Sequence, residues 1–316
     1  MIYATGTDSS GRGTTTGTII DFTGERLVLR TSGGRDQSIP TPRVVEIKTT
    51  WSTQKLAGDE LVHAGEYEEA VSNYLDALRN ERRDWARRQI MAHCIRCYRE
   101  LAQFDRSAEA FLILLRQDPK TQYFDSIPLS WSPYQPSLTF QRKAAVWLDD
   151  GQNATAKLLG ASWLLSTGTR ATAIAALREL MADSDARIAS LAEAQLWRTQ
   201  IVTAKPQDIV RWQKLVTRMP EELRAGPYFA LGRAFARQKQ SEQAALAFLR
   251  VPILYPKDSR LAAAALLSAA RELERIDQTK EAVALYREIV RDHSQTPAAA
   301  EASSRLENLA AGQGTS

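Results

Sequence analysis

The chain has 316 residues, with 41 Lys and Arg against 37 Asp and Glu and a net charge of +4. An excess that small over such a length lacks the basic signature of a nucleic-acid-binding protein, and no apolar run approaches the length of a membrane span. Apolar residues make up 44% and charged residues 25%, the balance of a soluble, alanine- and leucine-rich chain with material for a large helical core.

Met1 is followed by Ile-Tyr-Ala-Thr-Gly, with neither a basic start nor an apolar run. The expected setting is cytoplasmic if that start is native, and periplasmic or cell-envelope if a leader has been removed, because the beginning reads like the first strand of a folded domain. Residues 1–50 alternate with period two. Thr18–Phe22, Arg26–Arg30 and residues 44–47 read as strands, parted by turn signals at Thr23-Gly24 and Ser32-Gly33-Gly34. About five short strands in so few residues predict a small closed barrel. The phrase GTIIDFTGERLVLRTSGGRDQSIPTPRVVEI resembles the SH3-like and Sm-like barrels at the front of some bacterial repeat proteins. The run from Gly11 to Gly17 lacks the lysine and the following helix of a phosphate loop, so it is expected to be a flexible loop between strands.

From residue 51 the period becomes helical. Residues 51–119 predict two hairpins of paired helices. The first runs from Trp51 with Gly58, Leu61, Gly65, Tyr67, Ala70, Tyr74 and Ala77. The second runs from Arg88 with Cys94, Tyr98, Phe104, Phe111, Leu114 and Pro119, and with Ser107 at the place of Ala70. Arg79, Arg82, Arg83, Arg87 and Arg88 form a basic cluster around the turn between them, read either as a solvated turn or as a surface for an acidic partner or a lipid headgroup layer. Cys94 and Cys97 make one CxxC on a core-facing helix. With three histidines and no second CxxC the pair reads as structural, and no metal or cofactor is expected.

Residues 120–137 interrupt the pattern. Tyr123, Phe124, Trp131 and Tyr134 stand among prolines that forbid a regular helix, so the segment is expected to pack along the helices, either as a plug over the second hairpin or as a peptide-like occupant of a groove. Residues 138–218 predict five helices, near 138–149, 154–165, 170–182, 186–202 and 206–218. The phrases beginning at Asn153 and Asp183 resemble the starts of HEAT-type repeats, and Asp185 suits a helix N-cap.

Residues 219–311 hold the clearest pattern. Counting from Ala225, Tyr228, Leu231, Gly232, Phe235, Ala244, Phe248 and Pro256 occupy places 4, 7, 8, 11, 20, 24 and 32. Small residues at 8 and 20 let two helices approach, larger ones fill a stripe at i, i+3 and i+7, and proline stops the hairpin. A fourth copy runs from Ala263 with Leu266, Ala269, Ala270, Leu273, Ala282, Tyr286 and Ile289, its Pro297 arriving late, and residues 298–311 read as a capping helix before a disordered tail at 312–316. These four hairpins resemble the tetratricopeptide repeat. The predicted fold is thus mainly α, an α-solenoid of tetratricopeptide blocks with a HEAT-like middle, preceded by a small all-β barrel.

In tetratricopeptide repeats the first helix of each hairpin lines a concave face at places 2, 5, 9, 12 and 13. Carried over here, that resemblance implies a groove bearing Arg96, Arg99, Arg233, Arg237, Arg271 and Arg275, along with Asp59, Glu100 and Glu274. Guanidinium binds carboxylates with two parallel bonds and stays charged, so an acidic peptide or protein is the expected partner. The asparagines of the chaperone-type carboxylate clamp are missing. A non-enzymatic interaction scaffold is the reading that follows. The fourth hairpin and its cap are similar to repeats in bacterial envelope-assembly and Tol-associated proteins, which implies a role in the cell envelope. Two alternatives stand beside it: a nucleic-acid-binding barrel, and an enzyme with its site where barrel and solenoid meet, although His63, His93 and His293 are scattered over separate hairpins.

Overall fold

The hairpin register is carried by the backbone itself. At place 15 of the four hairpins stand Gly65, Ala102, Lys239 and Asp277, and all four have positive φ, at 80°, 56°, 61° and 60°. The next residue's N–H then donates five places back, Glu66 to the Leu61 carbonyl, Gln103 to Tyr98, Gln240 to Phe235 and Gln278 to Leu273, at 2.8–3.0 Å. One left-handed residue reverses the chain while the first helix's last carbonyls are still satisfied. The second helix starts at place 17 in each copy.

The computed structural model of the protein describes residues 7, 8, 11, 12, 14–132 and 134–313. The chain's beginning, expected to read as a first strand, lies outside the described residues over 1–6, as do Pro133 of the insert and the last three residues of the expected tail. Residues 312 and 313 belong to the last helix. The chain divides into two compact units, Met1–Pro128 and Leu129–Ser316, so the boundary falls inside the aromatic insert.

In the first unit, β1 (Thr7–Asp8) pairs with β2 (Gly11–Arg12), which puts a short strand where a loop was expected. β3 (Thr18–Phe22), β4 (Arg26–Arg30) and β5 (Asp36–Pro40) form an antiparallel meander in that order. A bulge between Ile19 and Asp21 lets both Ile19 and Phe22 reach the buried face and turns Ile20 outward. The expected closed barrel is corrected to this three-stranded sheet. Its apolar face, Ile19, Phe22, Leu27 and Leu29, is covered by Trp85 and Ala86 and flanked by Ile39, Val44, Ile47 and Trp51. Residues 44–47, expected to be a strand, lie outside any ladder. Because a helix supplies the cover, closure of the sheet on itself is not needed to bury that face.

Four helices follow: α1 (Thr53–Ala64), α2 (Tyr67–Asn80), α3 (Asp84–Glu100) and α4 (Phe104–Gln117). Each packs on the next. Tyr74 and Phe111, at place 24, are fully buried, and a Cβ on Gly58 would come within 2.6 Å of the Tyr74 ring. Ser107 keeps its small place by donating its hydroxyl to the Ile95 carbonyl at 3.0 Å, so a polar side chain sits buried at no loss of a hydrogen bond.

The second unit contains α5 (Leu138–Leu148), α6 (Ala154–Leu164), α7 (Arg170–Leu180), α8 (Ala186–Gln200), α9 (Pro206–Arg218), α10 (Ala225–Arg237), α11 (Ser241–Leu254), α12 (Ser259–Glu274), α13 (Thr279–Asp292) and α14 (Pro297–Gln313). Neighbours along the chain pack together, apart from the α8–α9 step, which is closed by Trp197 and Trp212 stacked at 5.2 Å. In addition α6 touches α8, α8 touches α10, α10 touches α12 and α12 touches α14. The even-numbered helices therefore form one continuous layer. Asp185 caps α8 through the Arg187 amide at 2.9 Å. Gly232 repeats the device of Gly58, since a Cβ there would meet the Phe248 ring at 2.6 Å.

Candidate functional site

In the second unit, α10 and α12 border an open groove of about 1140 Å³ whose lining includes Arg233, Arg237, Lys239, Ser268, Arg271 and Arg275. Its charges are of two kinds. On the α12 side the arginines are already neutralised within the chain. Arg275 Nη1 donates to Glu272 at 2.6 Å, Arg271 pairs with Glu301 of α14, and Arg305 grips Glu274 at 2.7 Å. Glu272 is buried and also accepts from Ser241 Oγ at 2.8 Å. On the α10 side no carboxylate hydrogen-bonds or ion-pairs with Arg233, Arg237 or Lys239 among the described residues. Arg237 and Lys239 are exposed and Arg233 is half-buried, where desolvation lowers its pKa.

The insert contributes Ser132 to the wall of this groove. Residues 129–132, irregular with a bend at Ser132, lie against helices of the even-numbered layer. The Ser130 N–H donates to Ser162 Oγ of α6 at 3.0 Å, and the Ser130 carbonyl accepts from Gln195 Nε2 of α8 at 3.1 Å. The Trp131 carbonyl faces Arg233 Nη1 of α10 at 3.5 Å. Trp131 lays its indole on Gly226, where a Cβ would fall 1.8 Å from the ring. Arg198 donates to the Ser162 carbonyl at 3.0 Å and to Gln195 Oε1 at 2.5 Å, and lies 3.4 Å from Ser130 Oγ. Burial, with Arg233 and Arg170 adding repulsion, pulls its pKa down to about 9. In the first half of the insert, Phe124 is buried edge-on to Phe111 at 5.6 Å, and burial raises the Tyr123 phenol. Tyr134 meets Trp163 edge-on at 5.5 Å.

The arginines of the expected groove are thus distributed. Arg96 and Arg99 belong to the first unit, where Arg99 is buried and donates to the Ser126 carbonyl at 3.3 Å. Arg271 and Arg275 line the second unit's groove but are paired, which leaves Arg233 and Arg237 as its uncompensated members. The basic cluster is mostly structural. Arg79 pairs with Asp76 and Arg83 with Glu81, Arg87 holds the Leu78 and Glu81 carbonyls, and Arg88 is buried between Asp21 and the Phe22 carbonyl, tying the sheet to α3. Arg82 alone of the five is exposed with no ion-pair partner among the described residues. Sequence reasoning did not find Arg198, Ser162 or Gln195. They lie on helices outside the hairpin template, and only their order in the layer marks them.

Cys94 and Cys97 are free and buried, and burial pushes both thiols up to about 12, far from a reactive thiolate. Among the described residues no group of three or more His, Cys, Asp or Glu stands where it could share a metal ion, and no helix is long and apolar enough to cross a membrane. His93 stacks on Tyr74 at 5.3 Å, and desolvation, with Lys55 adding to it, takes its pKa down to about 4. His63 Nδ1 faces the Asp59 carbonyl one turn back at 2.7 Å. His293 Nδ1 lies 2.7 Å from Ser259 Oγ, a hydroxyl–imidazole pair that is not part of the groove lining.

No family model matches the chain, and no curated protein matches it. Among solved structures it is similar to the TPR2AB-domain:pHSP90-complex of yeast Sti1, with 13% identity over 80% of this chain and 96% of that one and a TM-score of 0.31. The hairpin reading rests on the chain's own fourfold turn geometry and packing.

Proposed function

We propose that the protein is an interaction scaffold whose second unit binds an acidic peptide segment across α10 and α12. The observation that carries this reading is the asymmetry of charge in the groove: Arg233, Arg237 and Lys239 lack carboxylate partners among the described residues, while Arg271 and Arg275 on the α12 side each have one. A guanidinium without a counter-ion in a partly desolvated groove gains most from a carboxylate, and charge-assisted bonds are about twice as strong as neutral ones. An extended backbone with Asp or Glu side chains presents such groups at a spacing that successive helix turns can meet. The cell-envelope setting implied by the fourth hairpin belongs to this proposal as its biological context.

The test is binding of a fluorescein-labelled Asp/Glu-rich dodecapeptide, with its Asn/Gln counterpart as control, followed by anisotropy. Arg233→Glu with Arg237→Glu is expected to weaken binding at least tenfold, as roughly 1.5–3 kcal/mol per lost charged bond implies, and the wild-type affinity is expected to fall with added salt. Equal binding of the acidic and amide peptides would remove the reading.

A further inference from the structure

We infer that residues 129–132 are a resident ligand of the second unit's groove, a strap that holds its α6–α10 end and competes with a partner's extended segment there. This rests on the peptide-binding reading above and adds regulation to it. Four observations support it. First, the strap is held by its main chain: the N–H and C=O of Ser130 are both read by helix side chains, Ser162 and Gln195. An irregular segment outside helix and sheet has its buried amides satisfied by side chains in this way, and such recognition does not depend on the segment belonging to the same chain. Second, Trp131 is a single aromatic anchor seated on a bare glycine, Gly226, the arrangement by which interfaces concentrate affinity in one side chain.

Third, Arg198 and Arg233 converge on adjacent strap residues and meet only neutral oxygens: Arg198 is held by Ser162 and Gln195 and reaches Ser130 Oγ at 3.4 Å, and Arg233 reaches the Trp131 carbonyl at 3.5 Å. A partly desolvated Arg233 that faces one carbonyl at long range is less well satisfied than it would be by a carboxylate. The strap is thus a weaker occupant, contact for contact, than an acidic segment. It holds its place because it is tethered, and a covalent tether presents a segment at an effective concentration on the order of millimolar. Fourth, Ser132 stands in the wall of the open groove beside Arg233, so strap and incoming peptide share one guanidinium and lie end to end on one track. A partner that takes Arg233 away from the Trp131 carbonyl loosens the strap, and strap release lengthens the track available to the partner.

The experiment uses the full chain and a fluorescein-labelled peptide of its own residues 127–136. The comparison is between wild type and the double variant Ser130→Pro, Trp131→Ala, which removes the strap's donor and its anchor and leaves Ser162, Gln195, Arg198 and Arg233 in place. The labelled peptide is expected to bind the variant at least tenfold more tightly than wild type, and the acidic dodecapeptide is expected to displace it. A folded variant that binds the labelled peptide no better than wild type overturns the inference, because the strap is then a fixed part of the core. If the variant does not fold, hydrogen exchange on wild type decides. Amides at 129–132 are expected to exchange at least a hundredfold faster than the cores of α6 and α8, whereas exchange at the helix-core rate overturns the inference. Tight binding of the strap peptide to the variant with no binding of the acidic peptide to either chain sinks the acidic-partner reading alone.

Discussion

The left-handed turns give a stability test of the hairpin register itself. Ala102, Lys239 and Asp277 occupy, at φ near 60°, a place where the first hairpin has Gly65. For a residue with a Cβ this conformation costs about 1–2 kcal/mol through the contact with the following carbonyl. Glycine escapes that cost but adds roughly 0.5–1 kcal/mol of unfolded-state entropy. The difference predicts that Ala102→Gly stabilises by about 0.5–1 kcal/mol. Lys239→Gly should do the same, and Asp277→Gly less, because a short polar side chain tolerates the left-handed region. Gly65→Ala should destabilise by a similar amount. In the second unit such a gain amounts to a rise in melting temperature of about 1–4 °C. Urea unfolding monitored by circular dichroism measures each variant, with the slope against urea held constant to show that the denatured state has not changed. Lys239→Gly carries a second readout, since it removes one cation of the groove: the chain becomes more stable and the acidic peptide binds more weakly. If Ala102→Gly and Lys239→Gly both destabilise, or Gly65→Ala is neutral, the four turns are not held in one common geometry and the register is wrong.

Two further outcomes follow from the first unit. His93 is held neutral, with a folded pKa of about 4 against an ordinary value near 6.5. The unfolded chain therefore takes up its proton first as pH falls. Stability attributable to His93 is fully present above about pH 6.5 and is lost progressively down to about pH 4, in total roughly 3 kcal/mol by linkage. His93→Phe, which keeps a ring against Tyr74, should flatten this limb of the stability–pH curve, and parallel curves for variant and wild type would refute the assignment. Arg88→Ala should cost about 2 kcal/mol in chemical unfolding, because it leaves the buried Phe22 carbonyl without its donor and removes the ion pair of the part-exposed Asp21. A loss below about 0.5 kcal/mol would mean that the apolar contact of Trp85 alone holds the sheet.

The helical hairpins were legible because two independent properties coincide in them. Spacing placed Gly58 opposite Tyr74 and Gly232 opposite Phe248, and side-chain size then allowed one packing, in which a Cβ would come within 2.6 Å of the ring. The sheet was half legible. Alternation located β3 and β4, but whether a sheet closes depends on what else covers its apolar face. The cover here is Trp85, which sequence reasoning left among the charged residues of a turn because α3 begins a full turn before the hairpin template does.

Charge in the groove was the least legible, for a reason that applies to any stacked-helix fold. Residues at places 9 and 13 of the third and fourth hairpins line the groove, but neutralisation is decided by the next layer. Arg271 and Arg233 occupy the same place in successive hairpins. Arg271 meets Glu301, supplied by a terminal helix that belongs to no hairpin, and is silenced. Arg233 meets a backbone carbonyl supplied by the strap and stays a cation without an anion. Identical residues at identical repeat positions thus differ in what they can bind. The difference originates outside the repeats, in the cap at one end of the α10–α14 layer and the aromatic insert at the other. For that reason exchanging Glu301 for Gln should convert Arg271 from a closed pair into a further free cation beside Arg233, Arg237 and Lys239, extending the acidic-peptide footprint toward α14 instead of disturbing the α10 end.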